Sequence, residues 1–284
     1  MTSPQPPALS LAQIVERMRA DAAAGVHMAH SALASLAAAG IGLPQDWRAA
    51  LGRLAQAAQL GSATAEGQLQ ALADLAPERT PPSPPTATAE TFSASPHIRA
   101  LRGFLPASAC AWLIGLAQGR VAPARIYGQS AGGEVAAGRS NSAFEIGLLN
   151  ADVVVHAVRA RIAAALSVDV RRLENTQVLH YAPEQQFAPH VDYLDDAHPD
   201  VVARGQRALT FLVYLNDAYA GGETAFPRLG LAFKGAPGDA LAFDNVDADG
   251  RGDPRTLHTG TAPLSGEKWL LSQWVRTRPT PPPQ

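Results

Sequence analysis

The distribution of apolar and polar positions divides the chain into a helical first part and a mixed second part. Residues 9–75 are rich in Ala and Leu and poor in β-branched residues, which favours α-helix. Helical spacing of apolar residues returns over 105–119 and 151–166. Strand-like runs then follow one another without intervening helices, which predicts an antiparallel sheet. These runs cover 176–181, 190–193, 208–215, 231–233, 240–243 and 269–276.

Stretches rich in proline set the expected domain boundaries. Residues 77–96 combine Pro, Ser and Thr in a pattern that is typical of a linker. We therefore expect a helical region over 1–76, a main domain over 97–278 and a short tail over 279–284. Because many short strands follow the helices of the main domain, the predicted fold class is α+β. The predicted core is a two-sheet jelly roll, or double-stranded β-helix, with helices on one sheet.

The helical region contains an internal repeat. Gly25 and Leu33 recur 36 residues later as Gly61 and Leu69, and Asp46 is placed to cap the helix that starts the second unit. The pattern resembles Sel1-like repeats, although it covers fewer than two units and a free-standing array needs about three. Two interpretations stay open, namely a helical bundle docked on the main domain and an arm that binds a partner.

Composition and charge exclude several classes of protein. The 284 residues have a net charge of −2 and 46% apolar side chains, which is typical of a globular protein without a nucleic-acid or membrane partner. No apolar run approaches the roughly 20 residues that span a bilayer, and no secretory signal opens the chain, so we expect a cytoplasmic protein. The single cysteine, Cys110, excludes an internal disulfide and is expected to be a buried, inert thiol.

The candidate chemistry starts from a histidine and an aspartate two positions apart. His190 and Asp192 lie in or beside a predicted strand, where side chains at i and i+2 can converge on one point. His258 follows 66 residues after Asp192 and can come from a later strand. Two imidazole nitrogens and one carboxylate are the ligand set of non-haem Fe(II) oxygenases. We therefore predict a metal site at His190, Asp192 and His258.

The segments around these residues carry a wider pattern. They are VLHYAPEQQFAPHVDY (178–193), RALTFLVYLND (207–217), GGETAFP (221–227), PGDALAFDN (237–245) and TLHTGTAPLSGEKWLLSQWVR (256–276). In order and spacing they resemble the catalytic domain of the prolyl 4-hydroxylase group of 2-oxoglutarate- and Fe(II)-dependent dioxygenases. The resemblance covers about 97–278 and implies a double-stranded β-helix core. It also implies that His190, Asp192 and His258 are iron ligands.

The resemblance assigns two more residues to the co-substrate. Lys268 corresponds to the partner of the distal carboxylate of 2-oxoglutarate, and Tyr181 to a tyrosine that hydrogen-bonds the same carboxylate. A lysine inside a barrel is costly unless an anion meets it, which independently favours this role for Lys268. The alternative is a lysine at a strand edge that faces water. The implied cofactors are Fe(II), 2-oxoglutarate as co-substrate and O2, with ascorbate as an optional reductant.

Strand parity points to candidate substrate residues. The predicted strand over 269–276 is directly preceded by Lys268. By strand parity, one face of this segment carries Lys268, Trp274 and Arg276. We expect a proline in an extended protein segment to lie in a groove lined by Arg207, Trp274 and Arg276, because such a segment leaves its backbone carbonyls unpaired. The alternative for Trp274 is packing in the core.

Three functions stay open at this point. The leading one is hydroxylation at C4 of a peptidyl proline, with release of succinate and CO2. The second is the same chemistry on a free amino acid or another small metabolite. The third, a non-catalytic module for protein interaction, is disfavoured by the complete set of site residues. Glu184 and Phe187 replace the glycine and tyrosine that are frequent in the family, which leaves the substrate preference open. The oligomeric state is open as well.

Overall fold

The computed structural model describes residues 9–75, 88–124 and 138–281. Within these ranges the α-helices are α1 (Leu11–Ala23), α2 (His27–Ala39), α3 (Trp47–Gln59), α4 (Ala63–Leu75), α5 (Ala107–Ala117), α6 (Val153–Leu166) and α7 (Pro199–Arg204). The strands are β1 (Ala89–Ala94), β2 (His97–Leu101), β3 (Ala122–Pro123), β4 (Ser142–Ile146), β5 (Thr176–Tyr181), β6 (Phe187–His190), β7 (Arg207–Tyr214), β8 (Tyr219–Gly221), β9 (Thr224–Phe226), β10 (Leu231–Phe233), β11 (Ala240–Asp244), β12 (His258–Gly260), β13 (Pro263–Gly266) and β14 (Lys268–Arg276). Among the described residues, no helix has the length and apolar character needed to cross a bilayer.

The first four helices form two pairs that repeat each other. Each helix has 13 residues, and α1 and α2 begin 36 residues before α3 and α4. The equivalent turn residues Gly25 and Gly61 have φ values of 85° and 89°, a conformation that glycine adopts without steric cost. Asp46 caps α3 by accepting a hydrogen bond from the backbone N–H of Ala49 at 2.9 Å. The structure thus contains the 36-residue repeat, while its relation to Sel1-like repeats stays a prediction.

The helical region shares a core with the rest of the chain. Helix α4 packs on α5 and α6, and residues of α2, α3 and α4 belong to the same hydrophobic cluster as those of α5 and α6. Trp112 lies so close to Gly67 that a Cβ there would come within 2.7 Å of the indole ring, and its Nε1 donates a hydrogen bond to Asp152. This continuity favours the docked bundle. Cys110 is buried in the shared core, as expected, and burial raises the pKa of its thiol to about 12.

Antiparallel sheets make up the second part of the chain. The main sheet has the strand order β1-β2-β11-β7-β14-β5-β4-β3, a second sheet has the order β10-β9-β12-β6, and β13 pairs with β8. This mixture of helices and antiparallel sheets confirms the predicted α+β class. Residues 89–94 fell within the expected linker, but they form the edge strand β1 and pair with β2. The main domain therefore starts before residue 97, and residues 77–87 lie outside the described part.

The central strand β14 is buried along its whole length and separates two layers. On one face, Trp269 and Leu271 pack in the cluster that contains α5 and α6. On the other face, Lys268, Ser272 and Trp274 line a cavity. A second hydrophobic cluster, contributed by both sheets, lies on the side of this cavity. The alternation along β14 thus sends one set of side chains to the helices and the other set to the candidate site, as strand parity predicts.

Candidate active site

His190, Asp192 and His258 come together at one point of the second sheet. Their potential ligand atoms all lie within 4.8 Å of one another. His190 ends β6 and is the direct cross-strand partner of His258, the first residue of β12. The predicted strand over 190–193 is wrong beyond His190, because Asp192 lies in a bend after β6. That bend places the Asp192 oxygens 3.6 Å from the Nε2 atoms of both histidines.

Backbone carbonyl groups orient both imidazole rings. His190 Nδ1 lies 2.8 Å from the carbonyl oxygen of Ala188, and His258 Nδ1 lies 3.0 Å from that of Thr256. A carbonyl oxygen only accepts, so each Nδ1 carries the proton and each Nε2 directs its lone pair toward the cluster. Metal-binding histidines are commonly held in this way. Burial lowers the pKa of His258 to about 4, which keeps its ring neutral and able to bind a cation.

Asp192 supplies the anionic group of the cluster. Burial alone would raise the pKa of this carboxyl group, but the neighbouring His258 and His190 and a hydrogen bond from Thr210 lower it far below its usual range. The Thr210 hydroxyl donates to Asp192 Oδ2 at 2.6 Å. Two imidazole nitrogens and one carboxylate fit a non-haem Fe(II) ion.

Lys268 is buried on the face of β14 that lines the cavity. Its side chain is 0% exposed, and within the described ranges no group accepts a hydrogen bond from its Nζ. Nζ lies 5.0 Å from the ring centre of Tyr181 and 5.4 Å from that of Tyr214. Burial lowers the pKa of Lys268 to about 7. The alternative of a lysine at a strand edge facing water is wrong, and an unpaired buried cation of this kind fits an anionic ligand.

One cavity is lined both by the three potential metal ligands, His190, Asp192 and His258, and by Lys268. The predicted site residues in its lining are the three members of the cluster and Tyr181, Lys268 and Trp274. The lining also includes three residues that the sequence did not predict, namely Arg139, Thr210 and Ser272. Burial raises the pKa of Tyr181 to about 12, so its hydroxyl stays protonated and can donate a hydrogen bond. The same cavity therefore offers metal donors together with a cation and a phenol.

Arg207 and Arg276 are placed differently from the expectation. Arg207 donates two hydrogen bonds to Glu174, at 2.8 and 3.0 Å, and Arg276 forms an ion pair with the same carboxylate. A register shift between Val275 and Arg276 makes Arg276 the cross-strand partner of Arg207, which brings both cations to one anion. Of the three expected groove residues, Trp274 is among the described residues that line the cavity, and Arg207 and Arg276 are not. The Arg207 guanidinium lies 3.4 Å from the ring centre of Trp274. Contact of these three residues with a substrate stays a prediction.

Comparison with known proteins identifies the family. Residues 176–276 match the 2OG-Fe(II) oxygenase superfamily. Prolyl 4-hydroxylase 1 of Arabidopsis thaliana is 34% identical over 206 residues, which cover 67% of this chain and 72% of the relative. This chain belongs to the prolyl 4-hydroxylase-like 2-oxoglutarate- and Fe(II)-dependent oxygenases.

Further relatives of this oxygenase agree. Probable prolyl 4-hydroxylase 6 of Arabidopsis thaliana is 32% identical, over 66% of this chain and 71% of the relative. The solved viral collagen prolyl hydroxylase of Paramecium Bursaria Chlorella virus-1, in its 2OG complex, has 26% identity and a TM-score of 0.50, over 63% of this chain and 94% of that one. The protein is a dioxygenase that uses Fe(II), 2-oxoglutarate and O2, and its core is the jelly roll of this family. Ascorbate as a reductant stays a prediction.

The structure shows the surroundings of Glu184 and Phe187, the two residues at which this oxygenase differs from the residues frequent in its family. Glu184 has a φ of 68°, in the left-handed region that favours glycine, which accounts for the glycine that is frequent there. The ring of Phe187 stacks on that of His190 at a centroid distance of 3.4 Å, and the Arg139 guanidinium lies 4.4 Å from the Phe187 ring centre. The phenyl ring therefore packs directly against the more exposed histidine of the cluster.

Proposed function

We propose that this oxygenase hydroxylates C4 of proline residues in a protein or peptide, with conversion of 2-oxoglutarate to succinate and CO2. The observation that carries the proposal is the single cavity that joins His190, Asp192 and His258 to the unpaired Lys268. The names of the relatives support the choice of proline, since both Arabidopsis proteins are described as prolyl 4-hydroxylases.

The roles of the metal-site residues follow from their chemistry. His190 and His258 offer imidazole nitrogens, and Asp192 offers a carboxylate, so the three side chains would hold Fe(II). When bound, the iron supplies the activation of O2 that C–H hydroxylation requires. The Phe187 ring restricts the movement of His190, and the backbone carbonyl of Thr256 does the same for His258.

Lys268 and Tyr181 would bind the co-substrate. The distal carboxylate of 2-oxoglutarate supplies the anion that Lys268 lacks, and the Tyr181 hydroxyl donates a hydrogen bond to the same group. Both side chains are buried, so the charge interaction would be strong in this low-dielectric setting. Lys268 and Tyr181 thus orient the co-substrate along the cavity toward the metal site.

Trp274 would contact the substrate proline. Its indole lines the cavity on the same face of β14 as Lys268, so it can pack against a pyrrolidine ring. Arg207 stacks on the indole and is itself held by Glu174, which also pairs with Arg276. Arg207 therefore supports the position of Trp274, and Glu174 holds both arginines next to it.

Mass spectrometry tests the proposed substrate. The full chain is incubated with Fe(II), 2-oxoglutarate, O2 and a library of proline-containing peptides, with free amino acids in a parallel reaction. We expect one oxygen atom added to proline and an equal amount of succinate. Oxygen found only on another residue type, or only on free amino acids, contradicts the proposal and favours the second or another substrate class.

The variant His258→Ala tests the metal site in the same assay. We expect turnover to be abolished, because one of three donors is lost, while the circular dichroism spectrum stays that of the wild type. The matched control His180→Ala removes a histidine that is paired with Glu267 outside the cavity, and it should retain activity. Normal iron content and full activity in His258→Ala would show that the assignment of the metal ligands is wrong.

A further inference from the structure

We propose that Thr210 and Asn245 form a hydrogen-bond relay that fixes the orientation of the Asp192 carboxylate and directs Oδ1 to the metal. Both are positioning residues, since they act on the metal only through Asp192. The inference rests on the proposed role of Asp192 as an iron ligand.

The direction of the relay follows from the chemistry of its groups. The Asn245 amide Nδ2 can only donate, and it lies 2.8 Å from Thr210 Oγ1. The ionised Asp192 carboxylate can only accept, and its Oδ2 lies 2.6 Å from Thr210 Oγ1. The Thr210 hydroxyl therefore receives a hydrogen bond from Asn245 and directs its own proton to Asp192. The hydroxyl has no other low-energy orientation while both neighbours are present.

The relay is anchored in the main sheet rather than in the loop that carries Asp192. Thr210 lies in β7, and Asn245 follows β11, the neighbouring strand of β7. The backbone N–H of Asn245 donates to the carbonyl of Ala208 at 2.8 Å, and its carbonyl accepts from the N–H of Asp253 at 2.9 Å. Thr210 and Asn245 are 1% and 0% exposed. Asp192 lies in a bend beyond its strand, so its carboxylate takes its orientation from this rigid support.

The two carboxylate oxygens consequently differ. Oδ2 accepts the short hydrogen bond from Thr210, whereas Oδ1 faces His190 Nε2 at 3.6 Å, which is longer than an ordinary hydrogen bond. Oδ1 is then the oxygen with both of its lone pairs available to a cation, whereas the Thr210 hydroxyl occupies one lone pair of Oδ2. Coordination through one oxygen matters for this chemistry, because a carboxylate that bound through both would take a position that the co-substrate or O2 requires.

The test measures Co(II) binding to the metal-free full chain, which needs neither co-substrate nor turnover. Thr210→Val replaces the hydroxyl by a methyl group of similar size. We expect Co(II) affinity to fall about 10- to 100-fold, the range found when a group that supports a metal ligand is lost. The visible absorption spectrum of bound Co(II) should also change, and Thr210→Ser should restore both affinity and spectrum.

Thr176→Val is the matched control. Thr176 is also a buried threonine of the main sheet, and its hydroxyl donates to Gln273 at 2.8 Å, away from the cavity. It should leave Co(II) affinity and spectrum unchanged, which separates the relay from a general effect of losing a buried hydroxyl. Asn245→Leu removes only the donor to Thr210 and should weaken Co(II) binding several-fold, and it serves as the test if Thr210→Val does not fold.

The outcomes separate the relay from the proposed function. A folded Thr210→Val or Asn245→Leu protein with the Co(II) affinity and spectrum of the wild type would overturn the relay. Absence of Co(II) binding by the wild type, or binding that survives Asp192→Ala, would instead contradict the proposed metal site.

Discussion

Strand β14 carries a buried cation at each end, and the two cations differ in their partners. Arg276 is 1% exposed, forms an ion pair with Glu174 and donates a hydrogen bond to the carbonyl of Gly205 at 2.7 Å. Lys268 is 0% exposed, and within the described part of the chain its Nζ has no hydrogen-bond acceptor. A buried cation that the protein neutralises contributes to the fold, whereas one that it leaves unpaired marks a binding site.

The surroundings of Glu174 show how the protein compensates the charges of its buried arginines. Burial would raise the pKa of this carboxyl group, but Arg207 and Arg276 lower it, so it stays ionised between two guanidinium groups. Asp200 lies 3.5 Å from Arg276 and adds a second, more exposed anion. Among the described residues that line the cavity with Lys268, Asp192 is the only carboxylate, and it lies with the two histidines. Glu223, outside that lining, acts to raise the pKa of Lys268, but it is not within hydrogen-bond distance of Nζ. The proposed co-substrate supplies the missing charge.

The largest effect is expected for Lys268→Met. The affinity for 2-oxoglutarate should fall hundreds-fold or more, since loss of one partner of a buried charge pair costs about 3–5 kcal/mol. The ligand-free variant should unfold at the same temperature as the wild type or higher, because an uncompensated buried charge is removed. Calorimetric titration and thermal unfolding measure the two effects.

The matched control for this variant is Lys234→Met, which removes a lysine whose Nζ donates to the carbonyl of Tyr219 at 2.6 Å. It should change the affinity for 2-oxoglutarate much less than Lys268→Met does. Equal losses of affinity in the two variants would show that Lys268 has no special role in binding.

Glu174→Gln should lower the stability of the protein and leave its affinity for 2-oxoglutarate nearly unchanged, which is the reverse of the expectation for Lys268→Met. It leaves Arg207 and Arg276 without their shared anion, so we expect the free energy of unfolding to fall by about 3–5 kcal/mol. The affinity of the folded variant for 2-oxoglutarate should change little. Denaturant unfolding measures the loss, with Glu267→Gln as the control, because this exposed partner of His180 should contribute less than about 1 kcal/mol. A variant as stable as the wild type would contradict a structural role for Glu174.

Tyr181→Phe is expected to have the smallest effect of the three. It removes one hydrogen bond to a charged group, which is worth about 1.5–3 kcal/mol, and should weaken 2-oxoglutarate binding by about tenfold to a hundredfold. The ring remains, so the contact with Lys268 and the packing should persist. A loss as large as that of Lys268→Met would mean that the tyrosine, rather than the lysine, dominates recognition of the distal carboxylate.

The difference between the two ends of β14 also shows what the sequence could predict. The strands over 176–181 and 231–233 were predicted with correct bounds, and β14 within one residue, because alternation is a local property. Lys268 was found through the family motif and through the cost of an unpaired buried charge. The bend that places Asp192 could not be predicted, since it depends on contacts with β7.

Residues whose role depends on neighbours that are distant in the sequence could not be predicted. Glu174 carries no motif of its own, and only the register shift at the end of β14 brings Arg276 to it. Without that partner in view, strand parity assigned Arg276 to the face of the cavity. Strand β1 was missed for another reason: it follows directly on a stretch of Pro, Ser and Thr, whose composition hid the strand pattern of residues 89–94.

The pKa of Lys268 makes the contrast between the two cations measurable. In the folded, ligand-free protein burial lowers it from 10.5 to about 7. Between these pH values the unfolded chain holds a proton that the folded protein lacks, so the stability contributed by this group rises with pH. A bound carboxylate raises the pKa of Lys268 again. Binding of 2-oxoglutarate should therefore take up a proton in this window, and its affinity should fall as the pH rises above about 7.

Proton uptake on binding of 2-oxoglutarate tests most directly whether Lys268 is reserved for the co-substrate. The titration is performed calorimetrically at about pH 8.5, with Mn(II) in place of Fe(II), in two buffers that differ in ionisation enthalpy. For the wild type we predict an uptake approaching one proton per molecule bound, and for Lys268→Met no uptake at the same site. Binding by the wild type without proton uptake at this pH would contradict the account.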